Sequence, residues 1–288
     1  LMIRILCMYS PKWHIGIELS QHHIQLVAAK KHRKLWSLCE CWQQALPFDS
    51  ASHTLDEHRV ILRNILRQWR QKLPKNCSVS IALPSLRSLQ KQVSLPNQMS
   101  LQQPELSWYL QAQVDQLFPM QAQELTVDYR IIGQQVYFNA ARQSDITFWQ
   151  DLLLESGYHL LAVDIAPIAL RYLARHAQLP NECWLVYYRQ NEWFWSGPIS
   201  QPASYSHIHS DNPTPDNQSV HINQIQSLLT DDPEALKLPI YCISDHDIQG
   251  VEYRWDLLQA FHQYPIKLPR QLGDFVIAAG LALRHGDL

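Results

Sequence analysis

Apolar positions over the first 83 residues fall into two rhythms. Trp13 to Ala29 reads as strand, tight turn, strand. Lys34 to Ala45 supplies a third strand, with the basic run Lys30 to Lys34 as the turn before it. Ser52 or Thr54 then caps a helix that runs to about Lys72. Asp56 and Glu57 lie in its first turn, and Ile61, Leu62, Ile65, Leu66 and Trp69 recur at helical spacing. Pro74 ends the helix, and Val79, Ile81 and Leu83 alternate along a strand over Ser78–Leu83. The order is β-β-β-α-β: a meander, then a helix that crosses over to add a parallel strand.

Residues 84 to 157 read as an inserted α+β unit. Leu89 to Leu95 alternates like a strand, and Pro104 opens a helix to Phe118. Leu125–Ile132 and Val136–Arg142 form a hairpin around Gly133, and Ser144 caps a helix that Gly157 closes. A strand over Tyr158–Ile165 leads through Ala166-Pro167 into a helix to about Ala177. The opening pattern then recurs: strand Cys183–Tyr188, turn Arg189–Glu192, strand Trp193–Ser196. Gln201 to Gln218 is a polar loop or an edge strand with a loop, Val220 to Leu229 a helix with Leu228 and Leu229 inward, and Pro239 to Ile243 a strand. A helix from Asp274 to Arg284 ends the pattern. Two stretches that each pass from a β-hairpin through a helix to a strand imply an internal duplication.

Composition narrows the chemistry. At 288 residues, 46% hydrophobic and 17% charged, the chain can bury a large core. A net charge of −2 argues against a dedicated nucleic-acid binder. No apolar run reaches the ~20 residues of a membrane span. Leu1 to Cys7 reads as an extension, within a segment 1–11, and not as a targeting signal; a cytoplasmic location is expected. The six cysteines are scattered without a C-x-x-C pair, so reduced thiols are expected. Glycine is scarce, at eight residues. No G-x-G-x-x-G or G-x-x-x-x-G-K occurs, which excludes loops of that type, where glycine lets the backbone approach a phosphate.

Several stretches resemble the actin-like proteins of the FtsA/PilM branch, and more narrowly the type IV pilus assembly PilM family with its divergent HofM and competence ComA members. They are Ile15-Gly16-Ile17-Glu18-Leu19, Val79 to Ser85, Val127-Asp128-Tyr129-Arg130-Ile131-Ile132, Asn139 to Gly157 with Val163 to Arg171, and Gly273 to Arg284. The resemblance implies an α/β fold of the actin-like, duplicated ribonuclease H-like ATPase type. It implies a 1A subdomain over 12–83 plus 158–182, an FtsA-type 1C subdomain inserted at 84–157, and a second, reduced half (2A/2B) over 183–288. It also implies a cytoplasmic protein peripheral to the inner membrane. Such a protein grips the N-terminal tail of a PilN-like membrane partner in a groove between 1A and 1C, here with Leu83, Pro84 and Arg87 at the junction. No direct nucleic-acid contact is expected.

The family's nucleotide site is expected to be degenerate. Active members hold ATP with two hairpins and a glycine-rich adenosine loop, and the corresponding residues are Glu18, Ser20 and Gln21, then Tyr188 and Arg189, then Ser244 and Asp245. A tyrosine cannot replace a carboxylate that binds Mg²⁺, and loops without glycine cannot close on phosphate. The expectation is therefore a non-catalytic scaffold with no cofactor and no metal site. The alternatives are an ATP/Mg-binding ATPase with an unusual pocket and, further off, a metal-dependent hydrolase using His207, His209, Asp211 or the Ser244–Asp247 cluster. A mobile loop is expected around His207 and His209, a polar loop at Ser244–Asp247, and core packing for Trp193, Phe194 and Trp195.

Overall fold

The computed structural model describes residues 12–47, 58–83, 87–96, 104–189, 191–201, 204–209, 220–230 and 232–284. The proposed helix caps Ser52 and Thr54, the groove residue Pro84, and Asp211 lie outside them.

Two five-stranded sheets share one topology. The first joins β1 (Trp13–Leu19), β2 (His23–His32), β3 (Leu35–Ala45), β4 (Cys77–Leu83) and β8 (Leu160–Ile165) in the order β3-β2-β1-β4-β8. The second joins β9 (Trp184–Arg189), β10 (Glu192–Ser196), β11 (Tyr205–His209), β13 (Ile240–Ile243) and β15 (Tyr253–Arg254) in the order β11-β10-β9-β13-β15. Each is an antiparallel meander to which two parallel strands are added. Strand alternation splits each sheet cleanly. Ile15, Ile17, Val79 and Ile81 face a core shared with helices α1 (Arg59–Arg70) and α3 (Gln143–Glu155).

The opposite face of the first sheet is lined with small residues, among them Gly16, Ser78, Ser80 and Ala82. Helix α6 (Val276–Ala282), rich in Ala, lies on it and also against α4 (Ala166–His176). A Cβ on Gly16 would stand 1.9 Å from the Ala278 carbonyl oxygen, and one on Gly280 would stand 2.1 Å from that of Ala169. The two glycines therefore set the spacing between sheet, α6 and α4. A central cluster runs through this layer from Val27, Trp36 and Leu170 to Tyr187, Phe194 and Ile277, so the two halves share one apolar core.

Between β4 and β8 the chain builds a separate three-stranded sheet, β5 (Ser88–Ser94), β7 (Gln135–Arg142) and β6 (Leu125–Ile132), in the order β5-β7-β6. Helix α2 (Glu105–Leu117) covers one face through Leu110 and Val114 against Val136 and Phe138. A two-residue pair, β12 (Val220–His221) with β14 (Ile248–Gln249), and helix α5 (Asn223–Leu229) complete the second half.

Several local expectations are corrected. Strand β2 continues to His32, and the turn is made at Arg33 with φ 56°. Helix α3 starts at Gln143 directly from β7, and Ser144 does not cap it. His207 and His209 lie on β11, an edge strand as one reading of Gln201–Gln218 allowed, and not in a mobile loop, with His207 stacked on Phe194 at 5.7 Å. The helix placed at Val220 begins at Asn223 after a short strand, and Leu228 is half exposed. The C-terminal helix is preceded by a 3-10 turn over Gly273–Phe275. Trp193, Phe194 and Trp195 are all buried.

Gly16→Ala has no room for its methyl group, because its neighbours are backbone atoms. It is expected to lower stability by at least ~2 kcal/mol, measured as a shift in the urea unfolding midpoint against the unaltered protein.

Candidate functional site

The β1–β2 and β9–β10 hairpins, matched by topology, meet between the two sheets. Glu18 is on the Gly16 face of β1, and Arg189 is on the Leu185–Tyr187 face of β9, so alternation aims both at the interface of the halves. Their side chains form a bidentate ion pair: Arg189 Nη1 donates to Glu18 Oε2 at 3.0 Å, and Nη2 donates to Oε1. Glu18 is 3% and Arg189 5% exposed. Burial works against both charges and raises the Glu18 carboxyl, which Arg189 pulls back down. Burial also opposes the guanidinium, yet Glu18 holds it well above its ordinary range. Both carboxylate oxygens accept N–H bonds, which is the ionised arrangement.

Other groups complete the cluster. The Arg189 guanidinium lies 5.5 Å from the Tyr187 ring and 5.4 Å from that of Phe194, and Nη1 also reaches the Asp274 carbonyl at 3.4 Å. The Tyr187 hydroxyl donates to the Gly273 carbonyl at 2.7 Å, while Gly273 N–H donates to Asp245 Oδ2 at 2.8 Å. Burial raises the Asp245 carboxyl, against the pull of that N–H. Gln43 Nε2 donates to Asp274 Oδ2 at 3.2 Å.

The residues singled out from the sequence divide here. Glu18, Arg189 and Asp245 come into one network. Tyr188 does not: it points to the far face, 4.5 Å from the Trp193 ring, with its hydroxyl on Asn191 Oδ1. Arg189 is the last residue of β9 and not part of the turn. The Ser20 hydroxyl donates to the His23 carbonyl and takes a bond from Gln25 Nε2 of its own hairpin, beside the half-buried Gln21. Ser244 Oγ accepts from His246 N–H, and Asp247 pairs with Arg254 at 2.6 Å. Tyr187, Phe194, Gly273, Asp274 and Gln43 were missed. The signal for Tyr187 was its alternation with Leu185 and Arg189 along one strand face. Among the described residues no group of three or more His, Cys, Asp or Glu side chains could hold a metal ion.

A concavity of about 650 Å³ lies away from the hairpin tips. One wall is the outer face of the three-stranded sheet: Ser88, Gln90, Thr126, Asp128, Arg130, Tyr137 and Asn139. The other carries Leu83, Ile146, Val163, Ile165 and Ile168, and the second half closes it with Ser196–Ile199 and Tyr205. Tyr205 donates its hydroxyl to Asn139 Oδ1, linking β11 to the inserted sheet. At the floor, Asp164 accepts from Arg284 Nε and the Tyr172 hydroxyl, both at 3.0 Å. Burial raises the Asp164 carboxyl, and the Ile165 N–H, Arg284 and Tyr172 oppose that rise. Leu83 lines this groove, whereas Arg87 is engaged with Asp145 at 2.9 Å.

Paired β-β-β-α-β sheets around a shared interface define the actin-like fold. The family model for the type IV pilus assembly protein PilM matches residues 16–184, and the chain belongs to that family. Among solved structures it is similar to a PilM–PilN type IV pilus biogenesis complex (14% identity, TM-score 0.62, covering 94% of this chain and 97% of that one). It is also similar to the cytoplasmic domain of EpsL, an inner-membrane component of the type II secretion system of Vibrio cholerae (12% identity, TM-score 0.59, 96% and 97% covered). No curated protein matches by sequence. No helix among the described residues is long and apolar enough to cross a membrane.

Breaking the buried pair strands a charge. Arg189→Met alone is expected to cost about 3–5 kcal/mol, whereas Glu18→Leu combined with Arg189→Met restores most of that, because well-packed apolar residues replace a buried pair at little cost. Denaturant unfolding of the two single variants and the double variant checks this as a double-mutant cycle.

Proposed function

We propose that this chain is a non-catalytic docking scaffold of a type IV pilus or competence DNA-uptake machine, cytoplasmic and peripheral to the inner membrane. The scaffold captures the short N-terminal cytoplasmic tail of a single-pass, PilN-like membrane protein in the groove walled by Val163–Ile168 and Tyr137–Asn139. In this reading, residues 12–83 with 158–182 form subdomain 1A, 84–157 form 1C, and 183–288 form the second half. Helix α3 of the inserted segment docks Phe148, Trp149, Leu152 and Leu153 into the 1A core, which ties 1C to 1A.

The observation that carries the reading is the two-sided chemistry of the groove. An extended peptide sends alternate side chains to opposite sides. Here one side offers branched aliphatic residues and the other hydroxyl, amide and phenol groups. That is how a short peptide is held: pockets for apolar anchors, and polar groups to fix the backbone. The described charged linings are Asp128 and Asp164 against Arg130, Arg171 and Arg284, and Asp164 already neutralises Arg284. A tail of low net charge suits such a surface. The membrane surface is reached indirectly, through the partner.

Glu18, Ser20, Gln21, Tyr188, Arg189, Ser244 and Asp245 form a degenerate nucleotide site in this reading. Glu18 is committed to Arg189, and Tyr188 faces away. ATP hydrolysis has no support in the geometry, nor does a metal-dependent hydrolase at His207 and His209, since His207 is packed on Phe194.

Point variants test the groove better than removal of the inserted unit, because β4 and β8 are parallel and need that unit as their crossover. With a synthetic peptide of the N-terminal tail of a PilN-like membrane protein from the same organism as probe, Val163→Asp and Tyr137→Ala are each expected to weaken binding at least about tenfold, or ~1.4 kcal/mol. Fluorescence anisotropy reads this, and unaltered binding in both variants overturns the assignment of the groove.

A further inference from the structure

We propose that Arg189 is a built-in cation that takes the place of a bound ligand between the two halves, so that the interface is closed by the protein itself and needs no small molecule. The inference concerns the hairpin interface and stands independently of the groove. It answers what occupies that interface if no nucleotide does.

The geometry carries it in three ways. First, the pair joins corresponding hairpins of two sheets with the same strand order, at residues 171 apart in sequence. A bridge at that point holds the halves together at the tips of their central strands, beyond the apolar core beneath. Secondly, the guanidinium is held on several sides, although its buried Nε donates no hydrogen bond. Glu18 accepts two of its bonds, the Asp274 carbonyl another, Glu192 Oε2 lies 3.8 Å from Nε, and the Tyr187 and Phe194 rings flank it. A carboxylate, a carbonyl and two aromatic faces around one planar cation make a cation site in which the cation is covalently supplied. Thirdly, the adjoining backbone is already taken. Gly273 is held by Tyr187 and Asp245, and any side chain at Gly273 would meet Asp245 within 2.7 Å. An added anion such as a triphosphate would meet Glu18 and Asp245 there, and the guanidinium that would attract it is already neutralised.

A cradle of this kind has a consequence that a merely stabilising ion pair lacks. With Arg189 shortened to Ala, the carboxylate, the carbonyl and the rings remain and enclose a vacated site of the right shape for a free planar cation. The Arg189→Ala chain is therefore expected to bind guanidinium. At millimolar guanidinium chloride its melting temperature should rise relative to the same concentration of sodium chloride, while the unaltered protein shows no such rise. Hydrogen exchange in the hairpins at 18–25 and 187–194 should be at least tenfold faster in Arg189→Ala and slow again when guanidinium is added, with β4 as the internal reference. Isothermal titration of the unaltered protein with Mg·ATP should give no heat of binding.

Three results overturn the proposal: hairpin exchange in Arg189→Ala equal to that of the unaltered protein, exchange raised but indifferent to guanidinium, or Mg·ATP binding by the unaltered protein at micromolar affinity. If Arg189→Ala does not fold, Arg189→Lys keeps the charge and loses the two-pronged geometry. The proposal then requires faster hairpin exchange in Arg189→Lys than in the unaltered protein, and equal exchange overturns it.

Discussion

Helix α6 lies with its backbone directly on the first sheet, and most of the remaining architecture depends on that contact. Two glycines make it possible. Gly16 lets the backbone of α6 come down on β1, and Gly280 lets the same helix lie against α4. Ala278, Ala279, Gly280 and Ala282 make four of its seven residues small, so sheet, α6 and α4 form one tightly spaced layer. Interiors at this density leave few alternatives in position. Because α6 follows directly from Gly273–Phe275, seating the helix also seats the Gly273–Asp274 backbone between the two hairpins, where Tyr187, Asp245 and Arg189 meet it.

The hairpin interface and the groove then differ in kind. At the hairpin tips, side chains of the protein satisfy one another in a space with little exposure. Removing any one leaves a buried charge or a buried carbonyl without its partner, and such groups cost more unpaired than they return when paired. The groove beside the inserted sheet is open, and its walls differ in polarity. Its second-half wall is held by Arg171, a buried guanidinium that donates to the carbonyls of Cys183, Ser196 and Gly197. Burial lowers the proton affinity of Arg171, and Cys183 and the charge of Glu182 oppose that fall, with the Asn181 carbonyl also accepting from the guanidinium at 3.4 Å. One interface is thus spent on joining the halves, and the other stays open.

Much of the fold was legible in local pattern. Alternation at Val79, Ile81 and Leu83 and the helical spacing of Leu62, Leu66 and Trp69 report which faces are apolar, and burial followed those faces. Errors clustered where tertiary context overrides local cues. His207 and His209 sit among Ser, Pro and Asn, yet pairing with β10 and the stacking of His207 on Phe194 make that stretch a strand. Ser144 has the chemistry of a cap, but β7 passes into α3 one residue earlier and leaves it no capping position. Tyr188 and Arg189 are neighbours in sequence and were read as one site. On a strand they point to opposite faces, and only one of them can reach Glu18.

What the sequence determined by itself was most of the longer elements, the recurrence of the opening hairpin and the absence of glycine-rich phosphate loops, because each of these follows from residue type and spacing along one stretch of chain. What only the tertiary structure decided was which polar groups meet. The partner of Glu18 is set by the packing of α6 and by the way two sheets face each other across a shared core, and no local pattern encodes a contact between residues 171 apart. The groove has the same origin: its polar wall and its apolar wall come from segments that are unremarked neighbours only after the sheets have folded around one another.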